Sequence, residues 1–243
     1  MVNMSSPIRE LPGHAALKAI RRLEWRYQTL NDDYEAAMSI QQPELELHER
    51  TFQYSRRDQL YEAERLLHHY FSGYYTYWRQ VMTVGHSVGD PECKGRIERL
   101  RNQHDDKPGA RITRGLRVYV QKENVLPLMV YQSDHDDTAP KYAVSKADIR
   151  RDGLYDPSFN HYFGSVDGTC IFPYEVIEAN WNLVESLHES VKELVKIQME
   201  VELEEYQSRL EDLEEAAEDV PLTDLMEQIL PSEDPLPDVF FQD

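Results

Sequence analysis

The chain has 243 residues, 40% of them hydrophobic and 29% charged, with a mean hydropathy of -0.67 and a formal net charge of -19. That length holds one sizeable domain or a medium domain with tails; no apolar run reaches the roughly 18–20 residues of a membrane span, and residues 1–10 lack the apolar core of a signal peptide. Two distant cysteines, Cys93 and Cys170, exclude a disulfide scaffold and read as ordinary thiols of a cytoplasmic protein.

Ile20, Leu23, Tyr27, Leu30, Tyr34 and Ala37 recur at spacings of three and four and predict an amphipathic helix over 14–39. Pro43 ends it. A longer helix is expected from 44 to about 84. Its later half carries Leu60, Ala63, Leu67, Tyr70, Phe71, Tyr74, Tyr77, Trp78, Val81 and Met82, a stripe wide enough to be central in a bundle. Such a tyrosine-rich run can stack nucleic-acid bases, but core packing is the better reading. Gly85 and Gly89-Asp90-Pro91 form a break, with Asp90 as N-cap and Pro91 in the first turn of a short basic helix reaching 103. Residues 104–109 read as a loop. Arg111 to Lys122 fits either a strand, through Val118 and Val120, or a helix, through Ile112, Leu116 and Val120. A β-pair is expected from 126–131 and 142–144, and residues 152–169 read as an irregular loop. Pro173 opens a long helix through Val176, Trp181, Val184, Leu187, Val191 and Val195, and a second stripe continues through Leu203, Tyr206, Leu210, Leu213 and Ala217. The stripes of the first helix and of this extension would pair, which also offers a homodimer surface.

Charge is unevenly spread. Residues 198–243 hold 16 acids and one base, Arg209, so most of the negative charge belongs to the tail. Between Lys94 and Lys122 stand nine bases against Glu98, Asp105 and Asp106, a local +6 suited to neutralising phosphates, or simply a solvated helix face. The acidic tail is expected to compete with nucleic acid for that stretch, with a merely solvating tail as the alternative. Phe240 and Phe241 near the end read as a docking element for a protein partner. Arginine outnumbers lysine, 18 to 8, a weak sign of salt adaptation.

The chain has no phosphate-binding glycine loop, His-Glu-x-x-His, GxSxG or Cys-x-x-Cys. His68-His69 lacks signposted partners for a metal site and reads as packing. No cofactor is implied.

Glu64-Arg65-Leu66-Leu67-His68-His69-Tyr70-Phe71, then a basic helix, Arg114-Gly115-Leu116-Arg117-Val118-Tyr119-Val120 and Leu126-Pro127-Leu128, resemble a set of prokaryotic helical proteins related to the HEPN superfamily. These are four-helix-bundle domains of toxin and antiviral ribonucleases. The resemblance spans about 58–200. It implies an Arg, a polar residue and a His on one helical face that together attack the RNA backbone, as base for the 2′-hydroxyl and cation for the phosphate. Arg117 matches the Arg, but Val118 stands at the polar position and Lys122 where His is expected. A lysine, with an ordinary pKa of ~10.4, is a poor base. Arginine–histidine pairs a turn or two apart, Arg9–His14, Arg79–His86 and Arg99–His104, occur about as often as chance gives. Of these, only Arg99–His104 lies in the basic stretch, with Leu100 where the pattern prefers a polar residue.

The expected fold is mainly α: a helical bundle with long helices, a small inserted β-pair and an acidic C-terminal tail. It divides into an N-terminal helix (1–42), a HEPN-like core (43–200, β-pair near 124–148) and an acidic extension (201–243). The expected function is a catalytically degenerate module binding RNA or a protein partner, in a defence or toxin–antitoxin setting, through Arg111, Arg114, Arg117 and Lys122. A structural helical adaptor is the alternative, and an active ribonuclease comes third. A basic groove at those residues favours the first; arginines locked in internal salt bridges favour the second.

Overall fold

The computed structural model describes residues 11–43, 52–123, 125–132, 139–152 and 156–217. Over them the chain runs α1 (Pro12–Met38), α2 (Phe52–Val88), α3 (Pro91–Asp105), α4 (Pro108–Glu123), β1 (Leu128–Tyr131), β2 (Lys141–Ser145), α5 (Lys146–Asp152), α6 (Asp156–Phe163), β3 (Cys170–Ile171), α7 (Pro173–Gln198) and α8 (Glu200–Ala217). This is the mainly α bundle that the periodicities predict, with a small sheet between α4 and α7. The chain from 218 onward, Phe240 and Phe241 included, lies outside the described residues.

α2 is the spine. Ala63, Leu67, Tyr70, Phe71, Tyr74, Tyr77, Val81 and Val84 are all buried, so most of the wide stripe is core. Leu60, Trp78 and Met82, expected with it, are only half-buried, and Trp78 turns toward the surface beside Arg101 and Arg114. A buried hydroxyl left without a partner costs about 1–3 kcal/mol, and each of the three tyrosines finds one. Asn180 Nδ2 donates to Tyr70 Oη (2.9 Å), Tyr74 Oη meets His104 Nε2 (3.0 Å), and Tyr77 Oη lies 3.5 Å from His188 Nδ1. α3 and α7 are thereby keyed to α2 by polar contacts inside the apolar core.

α1 lies along α2 and α7, burying Leu23, Leu30 and Ala37 at intervals of seven. Its Tyr27 and Tyr34 interleave with Trp181 and His188 of α7. Tyr34 stacks on Trp181 (4.7 Å between centroids), Trp181 on Tyr27 (5.4 Å) and Tyr27 on His188 (4.0 Å). Aromatic pairs of this kind contribute about 0.5–1.5 kcal/mol beyond area burial. Glu24 closes the row, accepting from His188 Nε2 (3.0 Å) and Lys192 Nζ (3.3 Å). α1 and α8 pair within the chain: His14 Nδ1 lies 3.3 Å from Tyr206 Oη, and Gly13 sits directly beneath the Glu202 carbonyl, where a Cβ has no room.

Several boundaries differ from expectation. Gly85 does not break α2; it lets the Lys94 backbone come close, with 3.4 Å left between its would-be Cβ and Lys94 Cα. The break falls at Gly89, whose φ of +77 suits glycine, and Asp90 caps α3 by accepting from the backbone N–H groups of Glu92 and Cys93. The loop expected at 104–109 shrinks to two residues, because Pro108 begins α4 rather than prolonging the loop. Residues 111–122 are helix. Ile112, Thr113, Leu116, Tyr119 and Val120 are buried at helical spacing. The expected irregular stretch holds α6, since Pro157 stands in a first turn and Phe159 and Phe163 bury on one face. β1 and β2 are antiparallel, with Leu128 opposite Val144, and the unexpected two-residue β3 pairs Ile171 with Val144 to make the order β1-β2-β3. The second stripe does not simply prolong α7: the helix stops at a buried Met199 and restarts as α8.

Candidate anion-binding face on helices 2, 3 and 4

One face of α2 points inward with Tyr70, Tyr74 and Tyr77, which are too buried to stack a base. The next face carries Tyr75, Trp78 and Arg79, half-buried or exposed. Tyr75 and Trp78 lie one turn apart with nearly parallel rings, 6.2 Å between centroids and 15° between planes.

Four guanidinium groups converge on this ring pair. Arg117 of α4 lies over Tyr75 at 3.4 Å, and Arg79 reaches the same ring at 5.9 Å. Arg101 of α3 and Arg114 of α4 lie 5.0 and 5.2 Å from the centre of Trp78. Cation–π contacts contribute about 0.5–1 kcal/mol each at exposed sites, and they hold a guanidinium by its plane while leaving its charge unneutralised. One carboxylate is built in: Asp105 accepts from Trp78 Nε1 (2.9 Å) and from Arg114 (2.9 Å). Four cations against one anion leave the face positive. Burial pushes the Arg117 pKa down from its ordinary value, and neighbouring Arg114 pushes the same way, while Tyr75 and Tyr162 oppose the shift. Gly115 makes room for α6 between the two stacked arginines' turns; a Cβ there would stand 2.6 Å from Tyr162 Cβ and Phe163 Cζ.

Of the basic residues singled out from sequence, Arg114 and Arg117 thus share one face. Arg111 is turned back to donate to the Asp106 carbonyl (2.9 Å) and helps to close the α3–α4 corner. Lys122 is exposed in the last turn of α4, beyond Arg117. Arg99 and His104 part company, since His104 is buried against Tyr74 while Arg99 is exposed beside α7. Burial pushes the His104 pKa down from its ordinary value, against the pull of Asp105. His68 and His69 are both exposed, and among the described residues no three His, Cys, Asp or Glu side chains converge as metal ligands. No described helix is long and apolar enough to cross a membrane.

Tyr75 and the role of Asp105 do not stand out in the sequence, and Arg79 does so only as the spaced partner of His86, not of Tyr75. The available signal was the spacing of Tyr75, Trp78, Arg79 and Met82, a second three-four stripe offset from the tyrosines of the core. Its mixture of aromatic and basic residues belongs to a surface, not an interior.

The residues and their geometry define a helical-bundle protein with an arginine–aromatic face. No protein-family profile, curated protein or solved structure matches the chain.

Proposed function

We propose that this protein is a non-catalytic helical module that binds single-stranded RNA through the face made by Tyr75, Trp78, Arg79, Arg101, Arg114 and Arg117. The observation that carries the reading is the Arg117 guanidinium laid on Tyr75 at 3.4 Å with Arg79, Arg101 and Arg114 around the adjoining rings. Guanidinium groups fixed by their planes lose little rotamer entropy when they bind phosphate oxygens, although Arg114 gives one N–H to Asp105 and Arg101 one to Asn102 Oδ1. The resemblance to HEPN domains supplies the RNA, and Lys122 in place of the expected histidine supplies the loss of catalysis.

The structural-adaptor reading has its own support. Arg114 is ion-paired with Asp105 and Arg111 is bonded to the Asp106 carbonyl, so both also tie α3 to α4.

Anisotropy of a labelled 12-nucleotide RNA separates the two. If all four arginines meet phosphates, log K falls with log salt at a slope of about -3, since each phosphate contact on a single strand contributes about -0.7. The Arg101→Ala/Arg117→Ala variant is expected to weaken binding at least tenfold and to flatten that slope by about half. Unchanged RNA affinity together with a lowered melting temperature in the same variant selects the adaptor. Cleavage of the RNA that disappears in Arg117→Ala overturns the non-catalytic reading.

A further inference from the structure

α3 has a second flank, away from Trp78. There, α3 and α7 leave an open groove of about 510 Å³ between them, within the range of about 300–1,000 Å³ usual for ligand sites. Leu100, Leu194 and Ile197 give it an apolar floor; Arg96 and Arg99 stand on the α3 side, and Glu193 on the α7 side. Ile197 is 58% exposed, and Val201, four residues on, is 73% exposed. The open Ile197 side chain leaves aliphatic surface of the groove floor bare for an apolar occupant.

The chain itself holds a segment with the matching chemistry. Residues 218–243 carry eight acids and no Lys or Arg, and they include Leu236-Pro237-Asp238-Val239-Phe240-Phe241-Gln242-Asp243. Two adjacent aromatic residues suit the apolar floor, and an acid on either side suits a pair of arginines. Reach is sufficient. α8 carries the chain 18 residues from the end of α7, roughly 27 Å at ~1.5 Å per residue. The 23 residues from Ala217 to Phe240 can span up to roughly 75 Å at ~3.3 Å each. Tethering sets the local concentration of such a segment near millimolar, so even a weak contact is populated.

We propose that residues 236–243 of this chain dock in the α3–α7 groove, seating Phe240 and Phe241 on Leu100, Leu194 and Ile197 with Asp238 and Asp243 against Arg96 and Arg99. The docking is intramolecular. It occupies the flank of α3 opposite the arginine–aromatic face and stands whether or not that face binds RNA.

Hydrogen exchange read by mass spectrometry on the full-length protein tests it. In Phe240→Ser/Phe241→Ser, amides of 96–103 and 190–201 are expected to exchange at least threefold faster than in the parent, at 1 and at 50 µM alike, with the α2 core unchanged. Arg96→Glu/Arg99→Glu, both exposed positions, is expected to reproduce the loosening, and adding Asp238→Lys/Asp243→Lys to restore protection. Identical exchange in parent and Phe double variant overturns the proposal. So does protection present only at 50 µM, which assigns the groove to a second copy, or failure of the charge swap to restore it.

Discussion

α2 carries two aromatic rows that differ in what surrounds them. On the inner row Tyr70, Tyr74 and Tyr77 meet Asn180, His104 and His188, whose hydrogen bonds satisfy hydroxyls sealed from water, Tyr70 donating besides to the Ile177 carbonyl. On the outer row Tyr75 and Trp78 meet four arginines through their ring faces, and the one hydrogen bond shown for Trp78 goes to a carboxylate. The residue type is nearly the same, and exposure decides its use. In the core an aromatic hydroxyl fixes which helices may neighbour one another. At the surface an aromatic face holds charge in place without cancelling it. One helix thus specifies the bundle and furnishes its functional face, on rows about a third of a turn apart.

Substituting adjacent members of the two rows gives the largest contrast. Tyr74→Ala removes a fully buried ring and leaves His104 Nε2 without its Tyr74 partner, an expected loss of about 3–5 kcal/mol. Tyr75→Ala, one residue along, is expected to cost about 1–2 kcal/mol, the support of Arg117 and Arg79. Chemical denaturation of both variants checks this; equal losses would erase the distinction between the rows.

A smaller effect sharpens the inner row. Tyr70→Phe leaves Asn180 Nδ2 without its partner beside an Asn180 Oδ1 that already has none, and should cost about 1–3 kcal/mol. The double variant Tyr70→Phe/Asn180→Leu replaces both partners by apolar groups of similar shape and should recover most of that loss. A double-mutant cycle with no recovery would mean that the pair adds nothing beyond packing.

The smallest effect is one of pH. Burial pushes the pKa of His104 and of His188 down from the ordinary value near 6.5; for His188 this acts against Glu24, which pulls the other way. As pH falls below about 6.5, the unfolded chain takes up these protons before the folded one does. Stability is therefore complete above that pH, declines as pH falls toward the depressed values and is constant, for these two groups, below them. Melting temperatures from pH 8 to pH 5 should show the decline, with a shallower slope in His188→Gln. A slope unaffected by that change would place the proton uptake elsewhere.

Much of the bundle is legible in the sequence because long helices repeat their apolar positions often enough to be counted. α1, α2 and α7 each run seven turns or more, and the spacing selects much of what they bury, Leu23, Leu30 and Ala37 on α1 and Trp181, Val184, Leu187, Val191 and Val195 on α7. The expected Ile20, Tyr27, Tyr34 and Val176 are only half-buried, and Ala16, Ala19 and Ile177 are buried off the expected stripe. The short elements escape for the opposite reason. α6 has eight residues and β3 two, too few to establish a period, and they are fixed by what they touch, Gly115 for α6 and Val144 for β3. The site is half legible. Arg114 and Arg117 stand out as charge in a basic stretch, whereas their seats on Trp78 and Tyr75 depend on the crossing of α2 with α4, which no local pattern encodes. The Asp90 cap was readable because its chemistry is local.

Gly13 beneath α8 has a consequence for the order in which the protein is made. His14 and Tyr206 are 192 residues apart, so at a synthesis rate of about 5–20 residues per second the beginning of α1 waits roughly 10–40 s for the helix that covers it. α2 follows α1 directly and can join it early, but the Gly13 end of α1 stays open to water until almost the whole bundle has left the ribosome. Among the described residues, the first helix is therefore sealed by the last.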